Sequence, residues 1–239
     1  MFEYTAVISG SAGEFICELE KSFDVLCLPA FDVLQPPVRS HADMLMFSLN
    51  GTVILPLRYH EAYPHIAEYL RNVCAQRVLT TEAVSRGDYP FDVALNVLVC
   101  RNYAFSLSKH TSPEAAELIR ECALTHVSVK QGYSACSTLA LGHELISADP
   151  SVLKAAKIHS LPCLEISSGG ISLAGYNEGF IGGASGVCGD DVYFLGNIKT
   201  HPDENNIREF LTSHGYNIHC LGQGRLTDVG GIKFFKNIL

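Results

Sequence analysis

The stretch Met44-Leu45-Met46-Phe47-Ser48-Leu49-Asn50-Gly51-Thr52-Val53-Ile54-Leu55-Pro56-Leu57 sets two apolar runs on either side of Asn50-Gly51. Asn-Gly between such runs signals a two-residue hairpin, because both residues tolerate the positive φ of a type I′ turn. The reading is two antiparallel strands, 44–49 and 52–57. Downstream, residues 60–75 carry Ile66, Leu70 and Val73 at i, i+4 and i+7, the spacing of an apolar helix stripe, and Arg77-Val78-Leu79 supplies a third strand.

The same order recurs outward from this unit. Arg101-Asn102 separates the runs 94–100 and 103–108, Ser112 caps a helix with Pro113 and Glu114 in its first turn, and 125–129 closes the unit. Residues 134–141 and 144–147 flank Gly142-His143, Asp149-Pro150 opens a helix, and 162–166 follow. Residues 180–187 and 191–196 flank Gly189-Asp190, with a helix over 202–214 and a strand over 217–221. The chain ends leave a fifth unit in two pieces. The tail, 231–239, is a strand with no helix behind it. The head has a strand over 5–9, a capping box at Ser11-Ala12-Gly13-Glu14, a helix through Phe15, Ile16 and Leu19, and a strand over 24–28. Joining head and tail removes both open edges of a ring of sheets. The prediction is a single α/β domain over residues 1–239, a five-bladed α/β-propeller whose last blade is closed by the N- and C-terminal segments. The alternative, an ordinary three-layer α/β sheet, has no need of a unit split between the termini.

Composition narrows the function classes. With 47% hydrophobic and 18% charged residues the chain carries enough apolar material for a sizeable core. A net charge of −8 and no clustered Lys/Arg face argue against a nucleic-acid partner. The nine cysteines form no CxxC, and most lie in apolar runs such as Val25-Leu26-Cys27-Leu28, the usage of small buried hydrophobes. No run approaches a membrane-spanning length and the start lacks a signal peptide's pattern, so the expectation is a reduced, cytoplasmic protein with no membrane partner. No P-loop, no GxGxxG after a strand and no zinc spacing is present, so neither a cofactor nor a metal is expected. Homo-oligomer formation stays open.

Five such units with a split last blade resemble the pentein fold, shared by arginine and agmatine deiminases, dimethylarginine hydrolases, amidinotransferases and a ribosome anti-association initiation factor. The stretches Gln131-Gly132-Tyr133-Ser134-Ala135-Cys136-Ser137 and Gly179-Phe180-Ile181-Gly182-Gly183-Ala184-Ser185-Gly186, with His41-Ala42-Asp43 and Asp228-Val229-Gly230-Gly231, look like signatures of a bacterial family assigned to this fold. That resemblance supplies a fold and no activity. The pentein enzymes imply a chemistry in which a thiolate attacks a guanidinium carbon, a His moves protons and carboxylates hold the cation. Carboxylates suit a planar five-donor cation because they pair with it in bidentate fashion, and the resonance-stabilised carbon requires an activated nucleophile. In a propeller these groups come from the first strand of each blade, near the central axis, so the entry into each first strand is the place to look.

Leading into the first blade, His41 and Asp43 stand two apart, which on a strand puts both on one face, and the pair resembles the His-x-Asp/Glu element of the deiminases. A solvated loop capped by its own Asp has the same pattern. Before the third blade, Gly132 permits close backbone approach, Tyr133 is polar, and Ser134 and Cys136 share one strand face. Cys136 is the candidate nucleophile and His41 its base, with Lys130 as a nearby cation, whereas a buried inert thiol is the ordinary fate of a free Cys. Before the fourth blade, Asn177 and Glu178 precede a glycine-rich run with Gly183 and Ser185, which suits close approach of a ligand or of a crowded ring centre, and Glu178 is a cation-holding candidate. Asp92 and Asn96 lie near the entry of the second blade and Asp228 begins the fifth, each an axial candidate or a turn cap. The chain departs from the agmatine-deiminase pattern at Ile232-Lys233-Phe234, where Lys and Phe take the His and Cys places, while Asn217-Ile218-His219-Cys220 falls on an outer strand.

Two functions follow. One is a hydrolase or transferase acting on a small guanidine- or amidine-like metabolite, with Cys136 and His41 catalytic and Asp43, Asn96, Tyr133, Ser134, Asn177, Glu178, Gly183, Ser185 and Asp228 holding the substrate. The alternative is a non-catalytic binding protein whose pocket takes a small cationic or amino-acid-like ligand, or whose rim takes a macromolecule.

Overall fold

A computed structural model describes residues 2–238. The chain begins with β1 (Tyr4–Ser9), α1 (Glu14–Leu19) and β2 (Asp24–Leu28), and β1 and β2 pair in parallel. The capping box does not form. Gly13 holds the N-cap place without a side-chain bond, and the Ser9 hydroxyl instead bonds those of Ser11 and Ser40. Next come α2 (Ala42–Leu45), β3 (Phe47–Leu49), β4 (Thr52–Pro56), α3 (Leu57–Ala62), α4 (Pro64–Asn72) and β5 (Arg77–Thr81). Asn50 and Gly51 take φ of 47° and 73°, the positive values the hairpin requires. The helix expected over 60–75 is broken at Tyr63, because Pro64 has no N–H to continue the ladder and begins a new helix instead.

The second unit is β6 (Leu98–Cys100), β7 (Tyr103–Ser106), α5 (Pro113–Glu121) and β8 (Thr125–Ser128). The Ser112 hydroxyl caps α5 by accepting from the amide of Ala115. The third is α6 (Ser134–Ser137), β9 (Thr138–Ala140), β10 (Leu145–Ser147), α7 (Pro150–Ile158) and β11 (Cys163–Glu165), with the Asp149 carboxylate capping α7. A short β12 (Ile171–Ser172) precedes the fourth, β13 (Ser185–Cys188), β14 (Asp191–Phe194), α8 (Glu204–Ser213) and β15 (Asn217–Cys220). Then β16 (Leu226–Thr227) pairs with β12, a two-stranded addition that the repeat did not announce, and β17 (Lys233–Lys236) ends the chain.

Each unit makes a three-stranded sheet with one antiparallel and one parallel pairing, in the orders β3-β4-β5, β6-β7-β8, β9-β10-β11 and β13-β14-β15. The fifth is β17-β1-β2, where β17 pairs antiparallel with β1 in the register Thr5 to Phe235. The two ends of the chain therefore share one sheet, as the sequence led one to expect. Strand β6 lies against β9, β9 against β13 and β13 against β17. Phe47, Val99, Leu139, Val187 and Lys233, one from each three-stranded sheet, line a common cavity of about 240 Å³.

The first strand of each unit is shorter than its apolar run. Residues 42–45 and 134–137 are helical turns rather than strand. The strands expected over 94–100 and 180–187 begin only at Leu98 and Ser185. Small residues and buried hydroxyls in these lead-ins let the backbone turn and hydrogen-bond locally before the ladder starts.

Candidate functional site

The lead-in turns converge. His41 is the N-cap residue of α2 with extended backbone, and Asp43 lies in that helix's first turn, so the two do not share a strand face. They still approach: His41 Nδ1 is 4.0 Å from Asp43 Oδ1 and 3.8 Å from Asp228 Oδ1. Gly230 makes this approach feasible, since a Cβ there would fall 2.3 Å from the His41 Cβ, and its φ of 85° suits glycine. Gly183 does the same for Asp228, whose Oδ1 would lie 2.0 Å from an added Cβ.

Asn96 ties the first three units together. Its Nδ2 donates to the Asp43 carbonyl at 3.0 Å and to Cys136 Sγ at 2.9 Å, and its Oδ1 accepts from the amide of Ala135 at 2.7 Å. Asn96 is fully buried, and these bonds satisfy it. Asp228 is also partnered: Oδ2 accepts from the amide of Phe180 at 2.9 Å and Oδ1 from that of Gly230 at 3.0 Å. Asp43 is the exception. The residue is 5% exposed, and neither carboxylate oxygen has a partner of good hydrogen-bond geometry; the Cys136 thiol is the weak donor it has at hand.

A cavity of about 170 Å³ is lined by His41, Tyr133, Cys136, Phe180, Asp228 and, at its exposed rim, Glu178, whereas Asp43 lies behind His41 and lines the cavity of about 240 Å³. Burial, then the charge of Asp43, pushes Asp228 up to about 7. Burial lowers His41, opposed by Asp43, so its neutral form is favoured. Burial pushes the Cys136 thiol well above its ordinary value, and Asp43 and Asp228 push it in the same direction. The thiol's ionisation thus runs opposite to that of an activated nucleophile. No hydrogen bond joins Cys136 to His41 among the described residues; Lys130 is exposed, and the lysine whose charge couples to the thiol is Lys233.

The other expected site residues divide. Tyr133 lines the cavity and donates its hydroxyl to Asp92 at 2.8 Å. The hydroxyls of Ser134 and Ser185 donate to the carbonyls of Gln131 and Ile181, and because residues 134–137 form a helical turn, Ser134 and Cys136 do not share a strand face. Asn177 is exposed and lines none of the cavities described here. Sequence reasoning missed Met44, Leu173 and Tyr176 on the cavity wall, while Asp92, an axial or capping candidate, proves to lie behind Tyr133 as its acceptor. Among them only Tyr176 carried a signal, as an aromatic beside the glycine-rich run. The cysteines are less uniformly buried than their apolar runs suggested: Cys17 on α1 is exposed, and so are Cys27 and Cys220, because alternate positions of the outer strands β2 and β15 face solvent.

Such a chamber, with the carboxylates of Asp228 and Glu178 in its wall, a neutral imidazole beside Asp228 and Asp43 behind that imidazole, suits a small organic cation. The chain belongs to the family of unknown function DUF6873, matched over residues 7–233. No curated protein matches its sequence. Among solved structures it is similar to dimethylarginine dimethylaminohydrolase from Pseudomonas aeruginosa, a cysteine-to-serine mutant complexed with citrulline, at TM-score 0.57 and 9% identity over 99% of this chain and 100% of that one. An amidinotransferase from Microseira wollei aligns at TM-score 0.52 and 12% identity, covering 87% of this chain and 73% of its own. A cyanobacterial arginine dihydrolase aligns at TM-score 0.52 and 12% identity over 93% of this chain and 36% of its own. The family therefore has the pentein fold of guanidine-modifying proteins. No helix among the described residues is long and apolar enough to cross a membrane.

Proposed function

We propose that the chain is a one-domain, five-bladed α/β-propeller that binds a small guanidinium- or amidinium-like cation at Asp43 and Asp228, with His41, Tyr133 and Glu178 shaping the chamber. The observation that carries this reading is the Asp43 carboxylate, buried with neither oxygen partnered by a donor of good geometry. A buried, unpaired carboxylate is costly unless something cationic compensates it, and a guanidinium supplies both charge and planar donors. Relatives of the fold support it, since one is complexed with citrulline and another forms an adduct with S-methyl-L-thiocitrulline. The free thiols of all nine cysteines fit a reducing, cytoplasmic setting.

Binding is the better supported role, because a thiol held protonated by burial, and further by two carboxylates, is a poor nucleophile. One observation favours turnover instead: Asp228 titrates near 7 beside a neutral His41, an acid–base pair matched to neutral pH. Calorimetric titration with guanidinium, acetamidine and arginine tests the proposal, with affinity rising as pH climbs through about 7 and Asp228 ionises. Absence of binding above that pH overturns it. Release of ammonia or urea from a guanidino compound, lost in Cys136→Ala, would install the hydrolase.

A further inference from the structure

Behind the wall of the His41 chamber lies another buried carboxylate with an unpartnered oxygen. Asp92 belongs to residues 82–97, the connection between β5 and β6, and is 3% exposed. Its Oδ2 accepts the Tyr133 hydroxyl at 2.8 Å, and its Oδ1 is buried without a partner. Among the described residues the phenol is therefore the one side-chain donor this carboxylate has. Tyr89, from the same connection, lays its ring near that of Tyr133, with centroids 5.6 Å apart, and fills the space beside Gly132, where an added Cβ would fall 2.5 Å from its Cε2. The proton of Tyr133 is thereby committed. Burial, then the bond to Asp92 and its charge, pushes the phenol up from its ordinary value, so the proton stays on the oxygen and points at Asp92. Burial also raises Asp92, with the Tyr133 bond opposing it. The other groups acting on the hydroxyl are Cys136 and Tyr176, both on the chamber wall, which sets the phenolic oxygen at the chamber's edge. A phenolic oxygen that donates in one bond retains lone pairs to accept another.

We propose that Asp92 is a positioning residue that makes the Tyr133 hydroxyl an acceptor towards the chamber, so that the site selects a cation presenting an N–H over one whose nitrogen is fully alkylated. The inference rests on the cation-binding reading and names a contact that gives it selectivity. Each oxygen of Asp228 already accepts from a backbone amide, and Glu178 stands at the exposed rim, so the Tyr133 oxygen adds a directional acceptor to the charge that these two supply. A quaternary ammonium offers the carboxylates its charge but has no hydrogen for that oxygen. Without Asp92 the phenolic proton is free to turn towards the chamber, where it opposes a cation.

Calorimetric titrations with guanidinium and tetramethylammonium at about pH 8, above the titration of Asp228, test this. Tyr133→Phe keeps the ring and removes the oxygen. Guanidinium affinity should fall about tenfold, as for one hydrogen bond to a charged group, while tetramethylammonium affinity does not fall. Asp92→Ala should cost guanidinium about as much as Tyr133→Phe, and the double variant no more than either alone, since all three remove one contact. Asp92→Asn, whose amide oxygen still accepts from the phenol, should recover most of that affinity. Proton NMR of the unliganded protein should show a slowly exchanging Tyr133 hydroxyl, absent from Tyr133→Phe and Asp92→Ala and present in Asp92→Asn. Guanidinium affinity in Tyr133→Phe within about twofold of the wild type, an equal loss for both cations, or losses that add in the double variant overturns the inference and leaves the cation site standing. A wild type that binds no guanidinium, with the hydroxyl signal in place, sinks the cation-binding reading and this contact with it, while the Tyr133–Asp92 pair holds.

Discussion

The turns Ala42–Leu45 and Ser134–Ser137 are counterparts, each leading into the first strand of its unit and each bringing a reactive side chain to the same place. They differ in what surrounds that side chain. Cys136 Sγ accepts from Asn96 at 2.9 Å, and burial together with the charges of Asp43 and Asp228 keeps the thiol protonated. Asp43 has its backbone carbonyl held by the same Asn96, yet its carboxylate oxygens meet no donor of good geometry, only the weakly donating Cys136 thiol. One turn is finished as protein structure; the other is left open towards a ligand. The presence of a nucleophilic atom is thus a weaker guide to function than the absence of its partners.

The most damaging way to break this comparison is to remove the residue that joins the two turns. Asn96→Ala leaves the Asp43 carbonyl and the Ala135 amide without their bonds in a fully buried place. A loss of about 3 kcal/mol is expected in urea denaturation. A loss below about 1 kcal/mol would mean that the turns stand independently.

Asp43→Asn separates the open turn's role from its structure. The amide supplies no charge, so guanidinium affinity should fall by about tenfold or more at neutral pH. With the charge gone, Asp228 should also titrate below about 7, because Asp43 is one of the causes that raise it. Carboxyl NMR titration reads that midpoint. An unmoved midpoint would show that burial alone sets it.

Asp228 gives the wild type a stability signature as well. Its folded pKa of about 7 lies above the unfolded carboxylate value of about 3.9, so the folded state binds the proton more tightly. The contribution is fully present below the unfolded value and is lost as pH rises through about 7. Denaturation midpoints of Asp228→Asn should therefore depend less steeply on pH between about 4 and 7 than those of the wild type. Equal slopes would place the pH response elsewhere.

How far all this was legible in the sequence depends on the range of the interactions. Asn50-Gly51 and Asp149-Pro150 act within a few residues, so the hairpin and the start of α7 could be read directly. His41, Asp43 and Asp228 were recognisable as polar residues ahead of apolar runs, and the structure does bring them together. The period-two argument that grouped His41 with Asp43 failed, because α2 turns the chain before the strand begins. The place of Asn96 was legible and its task was not, since its partners are 53 and 40 residues away. Nothing local to residues 130–137 could reveal the state of Cys136, which is set first by burial and then by carboxylates from the first and fifth units.

The smallest effect is expected at Cys136 itself, and it is the measurement that divides the two turns most cleanly. Cys136 is 5% exposed and its pKa is raised, so iodoacetamide should modify it more slowly than the exposed Cys17, Cys27 and Cys220. Mass spectrometry after brief labelling ranks the thiols. Cys136→Ala removes one acceptor of Asn96, whose Nδ2 still bonds the Asp43 carbonyl, and leaves a small void. Guanidinium affinity should then change by less than about threefold, with stability falling by about 1 kcal/mol. A thiol that labels fastest, or a binding constant that collapses in Cys136→Ala, would make the two turns partners in one chemistry and return the nucleophile to the centre of the site.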